Sequence, residues 1–176
     1  FNYQERWYFQ KVDKEWDPVA KQVIDSDTTW GFYRLYNYSM SVSASTKVYG
    51  TYQFKKGAAI QAIRHMITPS VSFSYTPDFG KNGYGYYKQV QSDTMGRMMT
   101  YSPFANGLYG VPGSGPSMSL NFSVSQTLEM KVRDKKDTTG VRKIKLIDNL
   151  MISSSYNFLA DSLNLSPFSL SLRTNL

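Results

Sequence analysis

The chain has 176 residues, of which 41% are hydrophobic and 15% aromatic, with a formal net charge of +7, one histidine and no cysteine. No segment approaches the roughly 20 consecutive apolar residues that a membrane-spanning helix needs, so the composition excludes a helical membrane protein. The mean hydropathy of -0.42 would suit a soluble domain. A transmembrane β-barrel gives an equally low average, because every second residue faces a polar lumen.

The first thirty residues divide into an aromatic segment and a charged one. Residues 1–10 are rich in aromatic side chains and indicate the outer end of a strand, although three successive aromatic residues at 7–9 break the alternation. Residues 11–29 carry charges of both signs, and we predict a loop there. Within this loop Asp17 followed by Pro18 is typical of a helix start, so we expect a turn or two of helix.

The longest pattern in the sequence runs from Tyr36 to Phe54 and has a period of two. Its even-numbered positions are mostly apolar or aromatic, whereas its odd-numbered positions are mostly Ser, Asn, Thr and Lys. This alternation predicts one strand with an apolar and a polar face, about three times as long as the usual 5 to 6 residues. Tyr38 and Tyr52 would lie roughly 33 Å apart along the membrane normal in a strand tilted by about 45°. The stretch therefore predicts a transmembrane strand with an aromatic girdle at each end.

Four later segments repeat this alternation. They cover residues 63–76, 117–132, 144–158 and 168–176, the third less regularly than the others. Residues 77–116 interrupt the series and are rich in Gly, Pro, Asn and Tyr. A connection of about forty residues far exceeds the usual 4 to 6, so it predicts a folded or plug-like excursion, with some strand of its own around 84–91.

Strands joined in series predict an all-β fold, namely an antiparallel up-and-down transmembrane β-barrel. The short turns at 55–62 and 134–142 are then expected on the periplasmic side, and the long loop at about 77–116 on the extracellular side. An open sheet edge inside lipid would leave backbone groups unpaired. We therefore expect residues 1–176 to be part of a larger barrel in a bacterial outer membrane.

No pattern indicates catalysis. His65 is the only histidine, and its parity places it with the apolar residues near a strand end, away from any triad or zinc ligand set. The closely spaced acidic residues lie in charged turns, and no Gly-rich phosphate loop joins a strand to a helix. We expect no enzyme activity, no cofactor and no metal ion.

Two basic features leave alternatives open. The cluster between Lys131 and Lys145 could contact anionic lipid headgroups or a periplasmic partner, or it could stay solvated and discourage edge aggregation. Nucleic acid is not expected as a partner, because the strands carry an apolar face. Arg64 lies on the polar parity among Ser and Thr, where it could bind a phosphate or pair with a carboxylate such as that of Glu129.

Pro69 lies in the middle of the strand at 63–76 and cannot donate a ladder hydrogen bond. Either it marks a weak point in the wall, or its missing N–H falls beside a bulge and nothing opens there. The other candidate functional residues are those predicted to face the lumen: Ser41, Ser43, Ser45, Arg64, Ser70, Ser72, Ser74, Ser119, Asn121 and Ser123.

The segment from Arg64 to Phe79 resembles the LptD-like family of outer-membrane lipopolysaccharide-assembly proteins, in the version found in Bacteroidetes. The proteobacterial members of the family show a related strand with a proline, alternating aromatics and a second proline where the loop begins. The corresponding residues here are Pro69, Phe73, Tyr75 and Pro77. The similarity extends to residues 84–87, 101–104, 107–110, 136–140 and 161–164.

The resemblance implies a large barrel that accepts lipopolysaccharide from a periplasmic bridge and releases it into the outer leaflet through a lateral opening. It also implies an LptE-like lipoprotein plug in the lumen, a periplasmic jellyroll domain before the barrel, and outer-membrane lipids around it. The lateral opening itself is expected outside this segment. Two other functions remain open: a wall segment of another large outer-membrane channel for protein secretion or nutrient uptake, and a soluble glycan-binding β-sandwich.

Overall fold

The computed structural model describes residues 1–55, 57–134 and 140–174, and the regular structure in these ranges is almost entirely β-strand. The exception is a single 3-10 turn at Asn82–Tyr84. No helix among the described residues is long and apolar enough to cross a membrane. The all-β prediction is confirmed. The strands are β1 (Asn2–Asp17), β2 (Gln22–Ser45), β3 (Val48–Gln53), β4 (Ile60–Thr76), β5 (Lys88–Gln91), β6 (Met98–Tyr101), β7 (Ser117–Arg133), β8 (Val141–Asn157) and β9 (Ser169–Arg173).

The large sheet has the hydrogen-bonding order β1-β2-β4-β7-β8-β9, with β3 also paired to β4. The pairs β1–β2, β3–β4, β7–β8 and β8–β9 are antiparallel, and β5 and β6 form a separate antiparallel hairpin. The predicted antiparallel sheet is therefore confirmed. Because β1 and β9 end the described sheet, its closure into a barrel stays a prediction.

The chain divides into two compact units. Unit 1 contains residues 1–40 and 75–117, and unit 2 contains residues 41–74 together with the described residues from 118 onward. Unit 1 thus holds the β1–β2 hairpin and the long segment after β4. Unit 2 holds most of β4 and β7 with β3, β8 and β9.

The predicted loop with helix at 11–29 is wrong, because these residues form the closed end of the β1–β2 hairpin. Asp17 Oδ1 accepts hydrogen bonds from the N–H groups of Val19 (2.8 Å) and Ala20 (3.1 Å), which is the expected capping chemistry of an aspartate. Lys21 then adopts a left-handed conformation with φ 52° and the chain reverses. Asp17 therefore caps backbone N–H groups as predicted, but it does so in a tight turn and no helix follows.

The mixed charges that suggested a loop include an ion pair across the hairpin. Lys14 lies directly opposite Asp25, and the two side chains form an ion pair of 3.2 Å. Opposite charges facing each other across antiparallel strands stabilise the pairing. The three consecutive aromatic residues at 7–9 keep the alternation: Trp7 and Phe9 are exposed on one face, whereas Tyr8 is buried on the other.

Two register irregularities in the β7–β8 pair explain the weaker pattern of the strand predicted at 144–158. They lie between Gln126 and Leu128 and between Leu128 and Glu129, and each shifts the pairing by one residue. As a result Ile147 lies opposite Leu128, so two apolar side chains meet on one face. The two shifts add up to two residues, so the alternation has the same phase on both sides of the irregularities and is interrupted only between them.

Buried apolar side chains occur only in unit 1 among the described residues. In unit 2 the apolar side chains stay accessible, with Val42 71% and Leu170 69% exposed. A β-sandwich would bury such a face against a second sheet, so this arrangement argues against the soluble sandwich. The buried hydrophobic residues are Tyr8, Leu35, Phe79, Tyr86, Val90, Tyr101 and Phe104.

Candidate functional site

The polar face of the sheet in unit 2 is a row of hydroxyl groups. Ser70 of β4 and Ser123 of β7 are hydrogen-bonded through their Oγ atoms at 2.7 Å, and Ser74 and Ser119 at 2.9 Å. These pairs form because the alternation places both serines of each pair on the same side of neighbouring strands. The structure thus brings together four of the predicted lumen-facing residues; that they face a lumen stays a prediction.

A pocket of about 420 Å³ lies on this polar face, and we refer to it as the serine pocket. Its hydroxyl groups are neutral and each can both donate and accept, which suits sugar hydroxyls better than ions. Ser155 and Ser166 are hydrogen-bonded to each other at 2.8 Å at its rim. The pocket is lined by Ser70, Ser72, Asn121, Phe122, Ser123, Met151, Ser153, Ser154, Ser155, Ser166, Pro167 and Ser169.

The serine pocket contains residues that the sequence reasoning did not select. Ser153 and Ser155 lie opposite Ser123 and Asn121 in the β7–β8 register. Their alternation with Ile152 in the sequence was the available signal, but the two irregularities in this pair obscured it. Conversely, the predicted residues Ser41, Ser43 and Ser45 near the end of β2 do not line this pocket.

The opposite face of unit 2 carries an apolar pocket of about 380 Å³ around Pro69. It is lined by Ala44, Ser45, Thr46, Pro69, Ser70, Val71, Phe122, Ser123 and Val124. Ala44, Val71, Phe122 and Val124 have the parity that was predicted for the apolar face, whereas Ser45, which was predicted to face the lumen, also lines this pocket. Apolar and polar pockets therefore lie on opposite faces of the same strands.

Pro69 lies opposite a break in the long strand. The alternating stretch predicted as one strand from Tyr36 to Phe54 is divided into β2 and β3, with the interruption at Thr46 and Lys47. The Thr46 N–H donates to the Pro69 carbonyl oxygen at 3.2 Å. Proline has no N–H with which to return the second bond of the pair. The missing N–H of Pro69 therefore faces the point at which the ladder is interrupted.

Replacing Pro69 by alanine is expected to restore the missing ladder bond to the Thr46 carbonyl. One added backbone hydrogen bond contributes about 0.5–1.5 kcal/mol, so amide exchange at residues 46–48 should slow by about threefold to tenfold. Hydrogen–deuterium exchange on the purified protein measures this effect. Pro116→Ala, at an exposed proline outside the strands, is the control; equal slowing in both variants, or none in either, would contradict the role assigned to Pro69.

The His65 ring is hydrogen-bonded to a side chain of β7. Its Nε2 lies 3.1 Å from Gln126 Oε1, and both side chains belong to the apolar parity. Within the described ranges, no group of three His, Cys, Asp or Glu side chains is placed to hold a metal ion. The expected absence of catalysis stays an expectation from the sequence.

Arg64 does not form the ion pair with Glu129 that was one of its two predicted roles, within the part of the chain that the structure describes. Both residues line one pocket of about 280 Å³. The guanidinium of Arg64 instead lies over the ring of Tyr49, 4.8 Å from its centre. The other basic residues of this region include Lys131 and Lys143, which line the same pocket.

In unit 1 the segment 77–116 folds over the β1–β2 hairpin. Tyr86 occupies the edge of β2: its hydroxyl accepts from the Tyr36 N–H at 2.9 Å and donates to the Tyr36 carbonyl at 3.1 Å. Burial raises the pKa of Tyr86, so the phenol keeps its proton and continues to donate. One side chain thus satisfies a backbone pair that a neighbouring strand would otherwise satisfy.

The 77–116 segment has its own small structure, which includes the β5–β6 hairpin and the 3-10 turn. Its Phe79, Tyr86 and Phe104 form one buried cluster with Tyr8 and Leu35 of the hairpin. The segment is therefore attached by packed aromatic side chains as well as by hydrogen bonds. Its predicted extracellular position stays a prediction.

Comparison with protein families identifies a match over the whole chain. The model of a family described as LptD protein matches residues 1–176. The chain matched no curated protein and no solved structure. The family match covers the hairpin of unit 1, the 77–116 segment and all strands of unit 2. Residues 136–139, which contributed to the resemblance, lie outside the described residues.

Proposed function

Because the chain belongs to the LptD protein family, a family of outer-membrane proteins in lipopolysaccharide transport, we propose that it forms part of the wall of a barrel that inserts lipopolysaccharide into the outer leaflet. The family match over residues 1–176 is the observation that carries this proposal. The wall acts by separating two environments: lipid touches one face of the strands, and the transported glycolipid passes along the other.

The two faces of unit 2 support this division of roles. The apolar side chains remain exposed in the isolated chain, as expected for residues that contact hydrocarbon in a membrane. The opposite face presents paired serine hydroxyls and the serine pocket. Hydroxyl groups exchange hydrogen bonds with sugars and water without holding either tightly, so such a wall lets a polysaccharide slide.

The proposal assigns partners to each part of the barrel. Lipopolysaccharide arrives from a periplasmic bridge, an LptE-like lipoprotein plug occupies the lumen, and outer-membrane lipids surround the apolar face. The segment 77–116 lies on the extracellular side in this arrangement and borders the exit. These assignments rest on family membership together with the alternating faces.

Depletion of the protein in the bacterium that encodes it tests the proposal. Newly made lipopolysaccharide should accumulate in the periplasm and become inaccessible to a surface label that cannot cross the outer membrane. Fractionation and surface labelling during depletion measure this directly. A complementing copy should restore labelling, and unchanged surface display after depletion would overturn the proposal.

The composition of the purified complex separates this function from a secretion or nutrient channel. A lipopolysaccharide translocon should copurify with a plug lipoprotein, whereas another channel should bring secretion partners or a ligand-capping protein. The protein should also require detergent for extraction. Release into a detergent-free soluble fraction as a folded protein would instead support the sandwich.

A further inference from the structure

The pocket that contains Arg64 carries an excess of positive charge to which the proposed function assigns no role. It is lined by three cationic side chains, those of Arg64, Lys131 and Lys143, and by one carboxylate, that of Glu129. We call it the basic pocket. It therefore holds a surplus of two positive charges in a concave space of about 280 Å³, completed by Thr51, Gln53, Ala62 and Met130.

The register of the sheet places two of these cations directly opposite each other on neighbouring strands. Lys131 of β7 and Lys143 of β8 are direct partners in the antiparallel pair. Directly opposed residues project to the same side with Cβ atoms about 4.5–5.5 Å apart, and like charges in this position destabilise the pairing. An anion bound between the two side chains would relieve this repulsion.

Two cations near the basic pocket, Lys145 of β8 and Arg173 of β9, share one carboxylate. Lys145 Nζ lies 3.0 Å from Asp148 Oδ1, and Arg173 Nε lies 2.7 Å from Asp148 Oδ2. By contrast, no carboxylate of the described residues forms an ion pair with Arg64, Lys131 or Lys143. The three cations of the basic pocket are therefore available to bind a ligand.

Arg64 is held in place by an aromatic ring instead of a carboxylate. Its guanidinium lies 4.8 Å from the centre of the Tyr49 ring. Such a contact positions the planar group through its face, while the N–H donors around its edge stay free to bind a ligand. Arg64 also lies on the same face of β4 as Ser70, because side chains alternate along a strand. The basic pocket therefore lies on the polar face that carries the serine pocket.

We infer that the basic pocket binds a phosphate group through Arg64, Lys131 and Lys143. Arginine offers two parallel N–H donors to phosphate oxygens, and lysine contributes a compact point charge. A phosphate would also place negative charge between the two opposed lysines. The group can belong to a phosphorylated glycolipid or be free inorganic phosphate; the glycolipid assignment rests on the proposed function, whereas the phosphate site does not.

Binding experiments on the purified full-length protein with its partners in detergent test the inference. The probes are the phosphorylated glycolipid anchor of lipopolysaccharide, the same anchor after phosphatase treatment, and inorganic phosphate against chloride at equal ionic strength. The variant Lys131→Gln/Lys143→Gln should weaken binding of the phosphorylated anchor by about threefold to tenfold, the range for two exposed charge contacts. Lys47→Gln removes an exposed lysine of unit 2 that does not line the pocket and should change nothing.

The possible outcomes separate the two phosphate sources. Loss of binding in the double variant, with preference for the phosphorylated anchor, supports a glycolipid site. Stabilisation by inorganic phosphate that the double variant abolishes, with no preference between the two anchors, supports a free-phosphate site. If neither probe distinguishes the double variant from the parent, or if Lys47→Gln has the same effect, the inference is overturned. The depletion experiment tests the proposed function independently of these binding measurements, so either can fail without the other.

A charge reversal provides a second, independent readout. Lys143→Glu converts the like-charged pair into an opposite-charged pair, so the midpoint of thermal unfolding without phosphate should rise while phosphate-dependent stabilisation disappears. A structural role for Lys143 predicts the reverse, namely a lower midpoint. A lower midpoint together with retained phosphate stabilisation would therefore contradict the site.

Discussion

Phe79→Ala is expected to detach the 77–116 segment from the β1–β2 hairpin and to cost about 3–5 kcal/mol of local stability. Phe79 is 1% exposed, and its ring meets those of Tyr38 (5.6 Å between centres) and Tyr84 (5.1 Å). Removing it leaves a cavity that the surrounding rings cannot fill without moving. Because it connects the segment to β2, the opening should be confined to unit 1.

Limited proteolysis of the segment measures this opening. A loss of about 3 kcal/mol should raise the cleavage rate within 77–116 by roughly a hundredfold when opening is fast relative to cleavage. The control is Leu108→Ala in the same segment, at a side chain that is 88% exposed. This change should leave the cleavage rate within about twofold of the parent, since surface substitutions rarely exceed 0.5 kcal/mol. Similar cleavage of the two variants would show that the aromatic cluster does not hold the segment.

Gly107→Ala is expected to disrupt the same attachment by overpacking. A Cβ at this position would overlap the Tyr8 ring, lying 2.7 Å from Cδ1 and closer still to Cε1. The ring cannot easily yield, because it is buried, packs against Phe104 at 5.4 Å between centres, and donates its hydroxyl to the Gly110 carbonyl. Overpacking of this kind typically costs about 1–3 kcal/mol.

The variant is best compared with Gly83→Ala in the same segment, where an added Cβ meets nothing within 4 Å. Amide exchange at residues 101–110 should accelerate by about fivefold to a hundredfold in Gly107→Ala and stay unchanged in Gly83→Ala. Tyrosine fluorescence provides an additional signal from the Tyr8 environment. Equal exchange in the two variants would mean that the close approach of Gly107 to Tyr8 has no energetic consequence.

Parity predicted the strands of unit 2 well because it reflects a direct physical property of extended chains. Successive side chains point to opposite faces, so any strand between two different environments must alternate. Ser70 with Ser123 and Ser74 with Ser119 were assigned to one face from sequence alone, and the structure pairs them. The predicted all-β class and antiparallel pairing rest on the same property.

The odd–even alternation of the sequence did not predict which face a side chain lies on where the strand pairing changes register. Each of the two irregularities near Leu128 shifts the β7–β8 pairing by one residue, so Ile147 is out of phase with the rest of β8, and these shifts depend on the partner strand. The helix expected after Asp17 failed for a related reason. An aspartate caps the first N–H groups of a helix and of a tight turn alike, and only the pairing of the following residues decides between them.

The opposition of Lys131 to Lys143 was likewise invisible in the sequence. Twelve positions separate these residues along the chain, and the two register shifts between β7 and β8 decide which side chains meet. A shift of one residue would have placed Lys131 opposite a different partner and changed its face. The basic pocket is therefore a product of register, although its residues were noted individually.

The sequence by itself determined that this protein is built from β-strands with one apolar and one polar face, because alternation is a local property written in each strand. The tertiary structure decided how the 77–116 segment folds over Leu35 and Tyr8, where the ladder breaks opposite Pro69, and which charges face one another. Those features depend on contacts between residues far apart in the chain, and no local pattern encodes the register or the packing that creates them.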